Sequence, residues 1–292
     1  MNKKIIATAF AILAAALYAI NIPFSKLLMG NVESTMMAGF LYLGAGVGMF
    51  LYTRVGDILG RKIVKEPLTI AELPYTIAMI VLDIAAPILL MHGLRITTSA
   101  NATLLNNFEI VATSFIALII FKEAVSKKLW CAIALVTLAS VILTFEGAGS
   151  FSFNIGSFMV LGAATCWGFE NNCTRMLSHK SSEQIVIIKG IFSGLGALFA
   201  AFLVGEQIPQ WICIIAVMVL GFVSYGLSIN FYIMAQAYLG ATKTSAYYSI
   251  APFLGVAFSL LILGERPGLQ FYIALFVLVL GTTFIIKDTI TS

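Results

Sequence analysis

Long runs of apolar residues alternate with short polar segments along the whole 292-residue chain. Each run is close to the roughly 20 residues that an α-helix needs to cross about 30 Å of hydrocarbon at about 1.5 Å per residue. Little sequence is left for a soluble domain, because the longest connection, residues 54–72, is too short and too charged to enclose its own core. The pattern predicts an all-α polytopic membrane protein with ten spans, over residues 5–28, 35–53, 73–94, 98–121, 128–145, 154–176, 185–204, 211–231, 243–263 and 270–287.

The composition agrees with this pattern. The chain is 60% hydrophobic and 10% charged, with a mean hydropathy of +1.01. A soluble globular domain carries about a quarter charged residues, so the composition excludes a water-soluble fold. The net charge of +4 does not indicate a nucleic-acid partner, because the basic residues fall in short loops between apolar runs.

Those basic residues predict the orientation in the bilayer. Three of them, Lys26, Arg95 and Arg266, lie on one side, and Lys189 falls inside the seventh span and is not counted. The thirteen on the other side are Lys3, Lys4, Arg54, Arg61, Lys62, Lys65, Lys122, Lys127, Lys128, Arg175, Lys180, Lys243 and Lys287. Because short cytoplasmic loops carry the excess of lysine and arginine, we expect both termini to be cytoplasmic and the protein to lie in the cytoplasmic (inner) membrane.

The sequence also contains an internal repeat. Residues 16–26, ALYAINIPFSK, align with residues 165–175, TCWGFENNCTR, and residues 99–123 align with residues 241–265, so that Glu123 matches Glu265. Five spans per copy would make the second copy enter the membrane from the opposite side. Such inverted repeats place a substrate site near the midplane and give two mirror-related conformations. We therefore predict two inverted five-helix repeats, residues 1–147 and 148–292, which indicates a carrier.

Several of these features are typical of one family. The five-helix halves, the WGFENN segment at Trp167–Asn172, the LRITTSANATLL segment from Leu94 and the helix ends at Glu123 and Glu265 resemble EamA-type carriers of the drug/metabolite transporter superfamily. The resemblance implies transport of a small metabolite, often outward and often coupled to protons, without a cofactor. The chain departs from the family pattern at Tyr18 and Ala19, and at Glu109 and Ile110 of the fourth span.

Three acidic residues lie within the predicted spans. Asp83 and Glu109 are near the centres of spans three and four, and Glu170 lies toward the cytoplasmic side of span six. An ionised side chain at mid-bilayer costs at least about 2.5–3.5 kcal/mol on insertion scales, so such residues are usually functional.

Helical spacing arranges polar residues around these acids in stripes. The stripes are Ser99, Ala102, Asn106, Glu109 and Thr113 in span four, Trp167, Glu170, Asn171 and Thr174 in span six, and Tyr18, Asn21 and Ser25 in span one. The repeat aligns Asn106 with Tyr248 and Asn107 with Ser249. We predict a central cavity in which Glu109 is the main charge, with support from Asp83 or Glu170. Aromatic faces at Trp167, Tyr18 and Tyr248 suit an ammonium group, and the expected ligand is an amino acid, amine or related zwitterion or cation.

Structural roles remain open for the same residues. Glu109 could be paired with Lys189 or Arg95, Asp83 could serve the helix kinked by Pro87, and Trp167 and Tyr18 could be packing or interface aromatics. Outside the predicted cavity, Lys26 is interpreted as a side chain that snorkels to headgroups, and Glu123 and Glu265 as solvated charges at helix ends. The glycines of spans two and seven, Gly44, Gly46, Gly48, Gly190, Gly194 and Gly196, favour close helix packing, helix rocking or a homodimer contact.

Three other functional classes remain open: a flippase, a membrane-embedded enzyme, and a receptor or assembly factor that binds without transporting. A flippase for a lipid-linked precursor would use lateral openings between helices, and a membrane-embedded enzyme would need a motif such as GxSxG or HExxH, which the sequence lacks. We expect no metal site and no ATP-binding motif, so transport would be driven by a gradient, with protons as the coupling ion.

Overall fold

The structure, a computed structural model, describes residues 3–59, 66–121, 127–146, 152–177, 180–239, 244, 247, 248 and 250–291. We number its longer helices in chain order. They are α1 (Lys3–Ala19), α2 (Asn21–Leu28), α3 (Ser34–Ile58), α4 (Leu73–Ile96), α5 (Ser99–Leu105), α6 (Phe108–Phe121), α7 (Lys127–Thr144), α8 (Ile155–Leu177), α9 (Ser182–Leu203), α10 (Trp211–Gly221), α11 (Ser228–Leu239), α12 (Ala251–Leu263) and α13 (Leu269–Thr291).

These helices make the chain a multi-pass membrane protein. Within the described ranges, six segments are long and apolar enough to span a bilayer: Ile5–Leu28, Ser34–Ile58, Ile70–Ile96, Ser99–Ile120, Ser182–Leu203 and Trp211–Ala235. Shorter apolar helices cover Trp130–Leu143, Ala251–Leu263 and Leu269–Phe284. The count of ten spans and the inverted repeat stay predictions. The helical class has one small exception, a two-residue strand β1 (Phe145–Glu146) that pairs antiparallel with β2 (Ser152–Phe153).

Two of the predicted spans are interrupted. In the first, α1 ends at Ala19 and α2 begins at Asn21. Pro23, two residues later, lacks the N–H that would bond the carbonyl of Ala19. In the fourth, α5 and α6 are separated at Asn106 and Asn107, where successive N–H groups bond the carbonyl three residues back instead of four. Both interruptions bring side chains and helix ends into the interior of the bundle, a common feature of transporter binding sites.

A third irregularity lies between α10 and α11. Residues Phe222–Leu227 form a π-helical segment that carries the buried Tyr225. Such π segments occur often at functional sites, because the extra residue in the turn redirects a side chain.

Glycines bring the helices α3 and α9 into backbone contact. A Cβ atom added at Gly190 would lie 2.3 Å from the backbone nitrogen of Gly46, and one added at Gly44 would lie 2.1 Å from the carbonyl oxygen of Met218 in α10. Distances this short leave no room for any side chain. These glycines therefore allow close helix packing within one chain. The same positions are covered by helices of that chain and are not available for a dimer contact.

Candidate functional site

Three charged side chains meet in the interior between α4, α8 and α9. The ammonium nitrogen of Lys189 lies 3.1 Å from a carboxylate oxygen of Asp83 and 2.9 Å from one of Glu170. All three residues are buried, with Asp83 fully so. We call Asp83, Lys189 and Glu170 the charge triad. One ammonium bridges two carboxylates, so the triad has a formal charge of −1 when all its groups are ionised.

Aromatic side chains complete the hydrogen bonding of the charge triad. The hydroxyl of Tyr42 donates to Asp83 at 2.7 Å and accepts from the indole N–H of Trp167 at 3.2 Å. On the opposite side of the triad, the hydroxyl of Thr174 donates to Glu170. Trp167, predicted as a binding aromatic, thus supports Asp83 through Tyr42.

Glu109 lies outside the charge triad. Its carboxylate accepts a hydrogen bond from the side-chain amide of Asn171 in α8 at 2.5 Å, and the same amide lies 3.4 Å from the hydroxyl of Thr113. Pairing of Glu109 with Lys189 or Arg95, the alternative considered from sequence, is wrong, because Lys189 bonds the other two acids and Arg95 lines a pocket at the end of the bundle. Glu109 instead bonds a neutral amide of the neighbouring helix α8.

The interruption between α5 and α6 exposes polar atoms to the interior. The amide of Asn106 donates to the hydroxyl of Tyr18 at 2.9 Å. The carbonyl oxygen of the Asn106 side chain and the amide nitrogen of Asn107 are buried without a hydrogen-bond partner among the described residues. An unpaired buried polar atom costs about 1–3 kcal/mol, which a ligand would recover by bonding it.

Tyrosine rings continue the polar interior from this interruption toward the charge triad. Tyr18 lies 6.1 Å from Tyr225 and 5.7 Å from Tyr248, measured between ring centroids, and Tyr225 lies 5.0 Å from Tyr42. At the other end of this series, Tyr232 lies 5.0 Å from Tyr248. We call these five residues the tyrosine array.

Asparagine and serine residues hold the tyrosine array in position. Asn21 donates to the hydroxyl of Tyr225 at 2.9 Å and accepts from Ser25 at 3.3 Å. Ser228 lies 3.5 Å from the hydroxyl of Tyr248. These bonds join the stripe of the first span to residues from the distant part of the chain that follows α10.

The predicted residues therefore fall into two neighbouring groups. Asp83, Glu170 and Trp167 belong to the charge triad and its supports, whereas Glu109, Asn171, Asn106 and Asn107 surround the interruption of the fourth span, beside Tyr18 and Tyr248. Ser249, the repeat partner of Asn107, lies outside the described residues. The described ranges contain no group of three or more His, Cys, Asp or Glu residues arranged to hold a metal ion.

Sequence analysis did not assign Lys189, Tyr42 or Tyr225 to the cavity. Lys189 was considered only as a partner of Glu109, although a basic residue inside a span is a sign of buried acidic partners in general. Tyr42 and Tyr225 gave no such sign, because single tyrosines in apolar helices are common and the π segment that redirects Tyr225 has no sequence signature.

One end of the bundle contains two carboxylates that cap helices of the other half. Glu265 accepts from the backbone N–H groups of Ser99 and Ala100 at 2.8 and 2.9 Å, and Glu206 accepts from those of Thr35 and Met36 at 3.0 and 2.7 Å. The interpretation of Glu265 as a solvated charge is therefore wrong, since a carboxylate here satisfies the first N–H groups of α5. Glu123 lies outside the described residues.

Lys26 lies at the same end and has a similar role. Its ammonium donates to the carbonyls of Leu94 and of Thr97, the latter at 2.7 Å, and lies 3.4 Å from the carbonyl of Arg95. A lysine that bonds the last carbonyls of a helix stabilises that helix end. The expectation that Lys26 snorkels to headgroups is wrong for this reason.

An apolar cleft of about 530 Å³ opens between α6, α7 and α8. Phe115, Trp130 and Phe169 line it and are each about 40% exposed. Phe108, the residue before Glu109, also lines this cleft. The cleft is therefore an apolar opening between helices, and Glu109 is not among the residues that line it.

Comparison with known proteins relates the chain to a solved structure, to a named transporter and to a protein family. A solved structure titled "Crystal structure of protein" aligns with a TM-score of 0.68 and 16% identity over 95% of this chain and 94% of that chain, which shows a shared fold. An "Uncharacterized transporter" of Methanothermobacter thermautotrophicus is 25% identical over 272 residues, or 87% of this chain and 78% of that protein. The EamA-like transporter family matches residues 5–145 and again residues 154–287. The two ranges matched by this family include nearly all of the predicted spans. The chain therefore belongs to the EamA-like transporter family.

Proposed function

We propose that this protein is a secondary active transporter that moves a small amine, amino acid or related zwitterion or cation across the cytoplasmic membrane by alternating access. Transport is coupled to protons or to exchange of a second solute, and runs outward. Membership in a transporter family and the transporter name of the archaeal relative support the general class. The same findings argue against an enzyme.

The observation that carries this proposal is the set of unpaired polar groups at the interruption of the fourth span. Glu109 is bonded to a neutral amide, and the buried Asn106 oxygen and Asn107 nitrogen have no partner among the described residues. An ammonium group would bring positive charge to Glu109 and a donor to Asn106, and a carboxylate would accept from Asn107. The rings of Tyr18 and Tyr248 beside them offer the aromatic faces that attract cations.

Two findings support alternating access by inverted halves. The family matches the chain twice, once in each half. Helices that correspond under the repeat also contact each other, α3 with α9 and α7 with α13, and the contact of α4 with α8 has its counterpart in that of α11 with α1. Exchanging the halves therefore maps these contacts onto each other, as two mirror-related conformations require.

Glu109 is also the proposed site of proton coupling. The hydrogen-bond partner of Glu109 is a neutral amide and not a cation. The carboxylate therefore favours a bound cation or a proton. Binding of one would exclude the other, which is the linkage that an antiporter of protons and amines needs. Asp83 and Glu170 share Lys189 and assist through the negative charge of the triad.

Counterflow in proteoliposomes tests the proposal. Liposomes preloaded with one unlabelled amine or amino acid from a small panel should accelerate uptake of the same labelled compound in the wild type. Glu109→Gln should abolish this uptake or its pH dependence, while Asp57→Asn, which removes an exposed carboxylate from the last turn of α3, should leave both unchanged. Wild-type counterflow with an unchanged pH profile in Glu109→Gln would contradict the role of Glu109.

The apolar cleft favours a second candidate function, that of a flippase for a lipid-linked precursor. Its exposed aromatic residues form an apolar opening between helices, as a lateral entry for an acyl chain requires. Reconstituted protein should then accelerate transbilayer movement of a fluorescent polyprenyl phosphate, and Phe115→Trp should slow this movement by narrowing the cleft. Absence of acceleration together with amine counterflow would reject the flippase.

A further inference from the structure

We propose that a pocket at the end of the bundle where α4 ends and α5 begins binds a phosphate group. The pocket has a volume of about 670 Å³, and its lining includes Lys26, Arg95, Arg266 and Glu265. Three cations against one carboxylate give it a formal charge of +2. This inference goes beyond the proposed function, since the lining of the pocket includes neither Glu109 nor any member of the charge triad.

The distribution of basic residues along the chain makes this convergence informative. The topology derived from sequence assigns three basic residues to the side that disfavours them, and these are Lys26, Arg95 and Arg266. They come from three distant parts of the chain, yet all of them line this one pocket. Scattered surface charges at loop ends would not be expected to meet in this way, and a shared anionic ligand explains why they do.

Two of the four charged residues, Lys26 and Glu265, are bonded to backbone groups. The other two, Arg95 and Arg266, are available to bind a ligand. The ammonium of Lys26 is bonded to the final carbonyls of α4, and the carboxylate of Glu265 to the first N–H groups of α5. The guanidinium groups of Arg95 and Arg266 are exposed, and neither has a carboxylate partner among the described residues. Both oxygens of Glu265 accept backbone N–H groups, and among the described residues this carboxylate forms no ion pair with either arginine, so the cations keep a majority of three to one.

Two available guanidinium groups at a helix end fit a phosphate group. Each can donate two parallel hydrogen bonds to phosphate oxygens, which a lysine ammonium cannot match. The neighbouring Ile96 and Leu269 are exposed apolar side chains, as is typical of a bundle end near the level of lipid headgroups. The same chemistry could therefore be presented by an anionic lipid headgroup or by a soluble phosphate.

Thermal unfolding of the full chain in detergent distinguishes the two sources. One arm adds phosphatidylglycerol, with phosphatidylcholine as the neutral lipid control, and the other adds inorganic phosphate, with potassium chloride at matched ionic strength. We expect phosphatidylglycerol, inorganic phosphate or both to raise the melting temperature above the matched control. A response to the lipid alone identifies a headgroup, and a response to inorganic phosphate identifies a soluble ligand.

Variants connect this response to the pocket. The double variant Arg95→Gln/Arg266→Gln should weaken the apparent affinity by at least about tenfold, because each charge-assisted hydrogen bond contributes on the order of a factor of ten. Arg54→Gln, which alters an exposed arginine that lies over the ring of Phe50, is the matched control and should respond as the wild type. Equal responses of the double variant and the wild type, or no response of the wild type to either addition, would overturn the assignment. The readout is binding, so it is independent of whether the protein transports amines.

Discussion

Two neighbouring residues of α8 face different environments, and the contrast separates two kinds of buried acid. Glu170 bonds Lys189, which also bonds Asp83, whereas Asn171 bonds Glu109. The charge triad contains its own counter-charge, and its members are among the most buried polar residues of the bundle. Glu109, by contrast, is partly exposed and bonds an amide. Under the proposed function, this contrast predicts that the triad holds the helices in place and that Glu109 meets the ligand.

The largest expected effect comes from removing the counter-charge of the triad. Lys189→Met leaves the carboxylates of Asp83 and Glu170 buried without their ammonium, and breaking a buried ion pair from one side costs about 3–5 kcal/mol. The variant should therefore unfold in detergent at a clearly lower temperature or denaturant concentration than the wild type.

A compensating variant shows whether charge is the cause. Adding Asp83→Asn and Glu170→Gln to Lys189→Met removes all three charges and should restore part of the lost stability. A single Lys189→Met variant as stable as the wild type would show that the triad contributes no net stability and would remove the contrast with Glu109.

A smaller effect is expected where the triad is supported by a neutral group. Tyr42→Phe removes the donor to Asp83 and the acceptor of the Trp167 indole, with little change in shape. Hydrogen bonds to charged groups contribute about 1.5–3 kcal/mol, so the free energy of unfolding should fall by about 2 kcal/mol. Tyr75→Phe, in the first turn of α4 and exposed, offers a comparison for the loss of a tyrosine hydroxyl at the surface. An unchanged stability in Tyr42→Phe would mean that Asp83 does not depend on this donor.

Sequence patterns predicted the helical segments well because each membrane span must meet the same requirement, which is to cross the hydrocarbon core with apolar side chains. A run of about 20 apolar residues satisfies it locally, and the predicted boundaries of spans such as 73–94 and 154–176 lie within a few residues of α4 and α8. The interruption at Ile20 coincides with Pro23, whereas the one at Asn106–Asn107 lies where Asn106 contacts Tyr18 of another helix. Apolar run length contains no information about such contacts.

The candidate site was predictable in its members and unpredictable in its pairing. Spacing along a single helix identified Trp167, Glu170 and Asn171 as one polar stripe, but neighbouring positions on a helix point in directions about 100° apart. Which acid meets which base therefore depends on how the helices are arranged around α8. The assignment of Lys189 to Asp83 and Glu170 required the three-dimensional arrangement, and so did the corrected roles of Lys26 and Glu265.

The smallest effect on stability, and the sharpest test of the contrast, is expected at Glu109. Glutamine keeps the size of the side chain and an oxygen that accepts from Asn171, so Glu109→Gln should change the free energy of unfolding by less than about 1 kcal/mol, the usual net contribution of one neutral hydrogen bond. Transport should nevertheless be lost or become independent of pH, because the variant has no charge for a cation or proton to neutralise. Paired measurements of unfolding and counterflow on the same preparation decide the matter. If Glu109→Gln instead destabilised the protein as strongly as Lys189→Met and transported normally once folded, then Glu109 would be the structural acid, and the ligand site would have to lie in the charge triad.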